Sequence, residues 1–80
     1  MPDEPWNLPI IDRLPVRIKR GLGSADADMR LFTMHRAERL LADADYGPAV
    51  REALEAFART DPDERVRERA AEILRNAPTS

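Results

Sequence analysis

Apolar side chains recur at helical spacing over the C-terminal part of the chain. Val50, Ala53, Leu54, Phe57 and Ala58 fall at i, i+3, i+4, i+7 and i+8, the stripe of an amphipathic helix. Tyr46-Gly47-Pro48 breaks the pattern before it, so the helix is expected to start at Pro48 and to run to about Arg59. Arg51–Glu55 and Glu55–Arg59 are i,i+4 pairs on its polar side. Asp61-Pro62-Asp63-Glu64 punctuates the chain next. Asp61 is expected to cap a helix, Pro62 to take its first position, and Glu64 to reach back to the cap. That helix, from Pro62 to about Asn76, turns Val66, Ala70, Ile73 and Leu74 inward. Arg65, Arg67, Glu68, Arg69, Glu72 and Arg75 then face water.

Upstream, residues Ser24 to Ala44 form a third helical segment, capped by Ser24 or Asp26. Its apolar residues Met29, Leu31, Phe32, Met34, Ala37, Leu40 and Leu41 cover a wide arc, which predicts a central helix with more than one neighbour. Residues 1–24 differ. Pro2, Pro5, Pro9 and Pro15 exclude one long helix there. Pro9 and Pro15 each suit the first position of a short turn, over Pro9–Leu14 and Pro15–Arg20. Trp6, Leu8 and Ile10 alternate as in an extended arm. No segment predicts a strand. The expected fold is all-α, a small bundle of about four helical segments in one domain. It comprises a proline-rich N-terminal arm (1–24), a helical core (25–77) and a short tail (78–80).

Composition narrows the function. Thirteen basic and fifteen acidic residues give a net charge of −2, without the basic excess of a dedicated nucleic-acid binder. There is no cysteine, hence no disulfide or zinc-thiolate site. No apolar run approaches the ~20 residues of a membrane span. Met1-Pro2-Asp3-Glu4-Pro5 lacks the basic start and apolar run of a secretory signal, and a cytoplasmic location is expected. A core this small supplies only about 3–5 kcal/mol net, so self-association or a partner is expected to help.

The segment Asp61-Pro62-Asp63-Glu64-Arg65-Val66-Arg67-Glu68-Arg69-Ala70-Ala71-Glu72-Ile73-Leu74 resembles the second helix of a bacterial HEAT repeat. Pro48 to Phe57 is similar to the first helix of such a unit, and the resemblance spans about residues 45–77. It implies a helical hairpin used in protein–protein contact. Ala37-Glu38-Arg39-Leu40 recurs as Ala71-Glu72-Ile73-Leu74, 34 residues later. The first half is therefore readable as a degenerate unit or as part of a four-helix bundle. Two units are fewer than the three a solenoid normally needs, which leaves outer faces to be covered. Leu8-Pro9-Ile10-Ile11-Asp12-Arg13 resembles the N-terminal segment of archaeal histones, but their Arg-Lys-Thr loop has no counterpart and the net charge has the opposite sign.

Candidate chemistry is sparse. His35 is the only histidine, and no Ser or Cys stands at triad spacing. Asp26/Asp28, Asp43/Asp45 and Asp61/Asp63 are pairs of carboxylates, yet each lies at a helix end, where capping and turn formation explain it. Leu54 stands where a calcium loop begun at Asp43 needs its bidentate glutamate. Gly21-Leu22-Gly23-Ser24 reads as a helix stop, a flexible joint and a cap rather than a phosphate cradle. No catalytic residue, metal ligand, cofactor or small-molecule substrate is assigned. Arg13, Arg17, Lys19 and Arg20 form a basic cluster free of acids, with Arg13, Arg17 and Arg20 expected along one helical side. Trp6 either closes the domain's own core or anchors a partner. The sequence thus suggests a non-catalytic protein–protein interaction module: an adaptor, accessory subunit or inhibitor. It would contact another protein or a second copy through Trp6, Leu8, Ile10, Arg13, Arg17, Lys19 and Arg20. The alternative is a nucleic-acid-associated helical module, with the 13–20 cluster on phosphates.

Overall fold

The structure, a computed structural model, describes residues 4–77. The expectations for residues 1–3 and 78–80 lie outside the described residues. Four α-helices form: α1 (Val16–Leu22), α2 (Ala27–Ala37), α3 (Gly47–Thr60) and α4 (Glu64–Asn76). Short 3₁₀ turns occupy Pro5–Asn7, Pro9–Arg13 and Glu38–Ala42. There is no strand among the described residues, and the chain is a small all-α bundle. Among the described residues no helix is long and apolar enough to cross a membrane.

Seven of the fourteen residues of α3 are buried, against four of the eleven of α2, so α3 rather than α2 is the central element. Its stripe of Val50, Ala53, Leu54 and Phe57 packs on α4, on the Glu38–Ala42 turn and on both N-terminal turns. From α4, Val66, Ala70 and Ile73 complete the contact, while Leu74 is half-buried at its edge. α1 lies on α2, and α2 also touches α4.

The N-terminal segment is not an extended arm. Pro5 and Pro9 each open a 3₁₀ turn, and only Leu8 between them is extended. Ile10, Ile11, Leu14, Ile18 and Leu22 enter the same core as α3. Burial of these aliphatic side chains, at roughly 25 cal/mol per Å² of apolar area, drives the segment down onto the bundle. Pro15 stands as the N-cap of α1, and the helix begins one residue later than expected.

Residues 24–44 do not form a single helix. α2 ends at Ala37 and continues as a 3₁₀ turn to Ala42. A 3₁₀ turn rises about 2.0 Å per residue where an α-helix rises about 1.5 Å, so the same residues reach further toward the start of α3. There Gly47 fits tightly under the chain: a Cβ on it would stand 2.7 Å from the Leu41 carbonyl oxygen.

Gly21 is likewise neither a helix stop nor a joint. It is buried inside α1, and a Cβ there would lie 1.8 Å from Thr33 Oγ1. Glycine is what lets α1 and α2 approach at this point. Gly23, the C-cap residue, ends the helix.

Candidate functional site

Two clusters stand out, one inside the bundle and one on its surface. The inner one centres on Arg30, a residue of α2 that is fully buried together with Asp61 at the end of α3. Arg30 Nε donates to Asp61 Oδ2 at 2.8 Å and Nη2 donates to Oδ1 at 3.0 Å, a two-pronged pair that suits the planar guanidinium. Nη1 donates to the Ser24 carbonyl at 3.0 Å. The Trp6 ring covers the guanidinium, with the Arg30 Cζ 4.0 Å from the ring centroid. Asp61 Oδ1 also accepts from the Asp63 amide at 2.8 Å, and Arg67 donates to the Asp61 carbonyl at 2.7 Å. This network joins the N-terminal turn, the α1–α2 loop, α2, the α3–α4 loop and α4. Every buried side-chain nitrogen and oxygen among the described residues has a hydrogen-bond partner. With each guanidinium nitrogen of Arg30 and both carboxylate oxygens of Asp61 hydrogen-bonded inside the protein, the cluster is built to hold the fold.

It also explains a shifted cap. Arg30 claims the Asp61 carboxylate, so Asp61 does not cap α4. Asp63 does so, accepting from the amides of Arg65 at 2.8 Å and Val66 at 3.4 Å, and the helix starts at Glu64. The side-chain hydrogen bonds from Arg65, helped by these amides, hold the Asp63 carboxyl below its ordinary range. Asp63 and, after it, Asp28 in turn raise the pKa of Arg65, which bridges both. The other aspartate pairs do the local work expected of them. Asp26 accepts from the Asp28 amide, and Asp43 from the amides of Asp45 and Tyr46. No group of three or more metal-ligating side chains is gathered among the described residues. His35 is exposed on α2.

The surface cluster lies between α1 and α2. Arg17 and Arg20 of α1 and Met29, Phe32 and Arg36 of α2 line one open cleft, with Gly21 and Thr33 between them. Phe32 is 60% exposed and Met29 46%; Val16 at the start of α1, at 63%, is a third exposed apolar side chain of this helix pair. The Arg36 guanidinium lies 5.2 Å from the Phe32 ring centroid.

The residues expected to meet a partner divide among several places. Trp6, Leu8, Lys19 and Arg20 line a second cleft, between the N-terminal turns and α1, and Arg20 borders both clefts. Trp6 is half-buried by its stacking on Arg30, so a large part of it serves the fold. Ile10 is a correction: it is in the core and offers no surface. Arg13 is another. It ends the Pro9–Arg13 turn, and the extended Leu14 and Pro15 separate it from α1, so it shares no helical side with Arg17 and Arg20. Lys19 pairs with Asp12 at 3.1 Å. Sequence reasoning missed Phe32, Met29 and Arg36, because Met29 and Phe32 belong to the apolar arc expected of the Ser24–Ala44 segment. The width of that arc is the available signal: a single segment of a small bundle does not bury seven apolar positions.

Comparison with protein-family models, with curated proteins and with solved structures gives no match to this chain.

Proposed function

We propose that the chain is a non-catalytic protein-interaction module, an adaptor, accessory subunit or inhibitor, that docks through the α1–α2 face. The observation that carries this reading is the exposed pair Phe32 and Met29 set beside Arg17 and Arg20. A large aromatic side chain flanked by arginines is the composition enriched at interface hot spots. In a chain whose core is small, an aromatic residue left outside it marks a surface kept for another purpose. The buried polar groups support the non-catalytic part, since Arg30, Asp61 and Thr33 are each consumed by internal hydrogen bonds.

On this reading α3 and α4, joined through Asp61-Pro62-Asp63, are a HEAT-like hairpin of bacterial type serving as scaffold, and the protein works in the cytoplasm. A role on nucleic acid through residues 13–20 has less support. Lys19 is already paired and Arg13 stands apart, which leaves two arginines of the four for phosphate contact.

The test is purification of tagged chain from its own cell extract, wild type beside Phe32→Ser. A protein that co-elutes in stoichiometric amount with the wild type and is lost from the variant supports the reading. Equal recovery with both moves the interface elsewhere.

A further inference from the structure

We propose that the α1–α2 cleft receives a short acidic amphipathic helix of a partner protein. Its apolar side chains would rest on Met29 and Phe32 and its carboxylates would meet Arg17 and Arg20. This deepens the interaction reading above and rests on it.

Charge is the first argument. No described residue forms an ion pair or hydrogen bond with Arg17 or Arg20, and Arg36 faces the Phe32 ring rather than a carboxylate. These three guanidinium groups line one cleft of a chain whose net charge is −2, an arrangement that draws in and orients an acidic partner.

Shape is the second. Met29 and Phe32 are three residues apart and project from the same side of α2, while the close approach at Gly21 and Thr33 keeps the floor of the cleft free of long side chains. The eleven residues of α2 extend about 16 Å, the length of three helical turns, which matches a docking helix with anchors at i and i+3 or i+4.

Other occupants fit less well. A polyphosphate strand gains little from Met29, and along α2 it would meet Asp26 and Asp28 at the helix start. A second copy of this chain offers no helix of net negative charge: α3 sets Glu52 and Glu55 against Arg51 and Arg59, and α4 sets Glu64, Glu68 and Glu72 against Arg65, Arg67, Arg69 and Arg75.

The experiment is selection of a phage-displayed library of random peptides, about 16 residues or four helical turns long, on the full chain. Affinities of the selected peptides, made synthetically, are then measured by fluorescence anisotropy. The expected peptides carry Asp or Glu with apolar residues three or four apart. Their affinity falls about 30-fold with Phe32→Ala, the loss typical of an interface hot spot. It falls also with Arg20→Glu, is largely kept by Arg20→Lys, and weakens as salt rises from about 50 to about 300 mM. Phe32 and Arg20 are exposed, so all three variants should melt like the wild type, and circular dichroism verifies it.

Selected peptides that are neutral or basic, yet depend on Phe32, would overturn the acidic occupant while leaving the docking face in place. A library that yields no Phe32-dependent peptide would overturn both readings. An oligothymidylate and phosphatidylserine vesicles are titrated in parallel. Arg20-dependent binding of either, with no acidic peptide selected, assigns the face to phosphate and overturns the proposal. So does a Phe32-dependent dimer in sedimentation equilibrium without peptide binding.

Discussion

At the scale of single residues the structure depends most on Arg30 and Asp61. Removing one partner of a buried ion pair typically costs about 3–5 kcal/mol, because the other charge is left buried and uncompensated. That equals the whole net stability, about 3–5 kcal/mol, available to a core of this size. Asp61→Ala is therefore expected to leave the chain largely unfolded at room temperature, whereas Arg30→Lys keeps a charge but loses the two-pronged geometry and the bond to Ser24. Far-UV circular dichroism melts decide it, and an Asp61→Ala melting temperature within a few degrees of wild type would sink the argument. None of this was legible in the chain. Arg30 is one of twelve arginines in a charged helix, and only a partner 31 residues away separates it from the solvated ones. Asp61, by contrast, was singled out correctly as a special residue and given the wrong task. The Asp-Pro-Asp punctuation marks a helix start, but which aspartate caps depends on which one the distant arginine takes.

At the scale of elements, helical periodicity located α3 and α4 to within a few residues, since each has a stripe that only a 3.6-residue period explains. α1 and α2 were harder, because at their seam a bare glycine of α1 meets the Thr33 side chain of α2. Gly21 is the key: in a helix interior it looks like a stop, and only the neighbour shows it to be a seam. Gly21→Ala should destabilise the chain by about 1–3 kcal/mol through overpacking against Thr33. Adding Thr33→Ala should not rescue it, because the Thr33 Cβ itself would remain 2.5 Å from the new methyl carbon. A Gly21→Ala chain as stable as wild type in urea titration would mean that α1 is free to lift away from α2. The N-terminal turns invite a second check. Trp6 is the only tryptophan and stacks on Arg30, so its fluorescence reports whether the first turns are docked. Because these turns share the core of α3, Trp6 emission and helix ellipticity should change in one coincident transition. An earlier Trp6 transition would make the segment a detachable arm.

At the scale of the whole molecule, what remained hidden was which apolar side chains stay outside. The apolar residues of the Ser24–Ala44 segment are plain in the chain, but their partition between core and surface depends on where α1 and α4 land. Charge across the molecule is easier to test. Arg65 joins the start of α2, through Asp28, to the start of α4, through Asp63. The Asp63 carboxyl is held below its ordinary value of 3.8 by this partner and by the amides it caps. A group whose pKa is lower folded than unfolded contributes stability above the unfolded value and loses it as pH falls through the folded one. Asp63→Asn retains a capping side chain and removes the charge, so it isolates that contribution. The melting temperature of wild type should exceed that of Asp63→Asn at neutral pH. The gap should hold down to about pH 4, near the unfolded carboxyl value, and close below it as Asp63 takes up its proton. Added salt should narrow the same gap at neutral pH, because the ion pair is exposed. A gap that stays constant from neutral pH to well below 4 would show that Asp63 acts as a cap alone, and that the link from α2 through Arg65 to α4 contributes no stability to the assembled bundle.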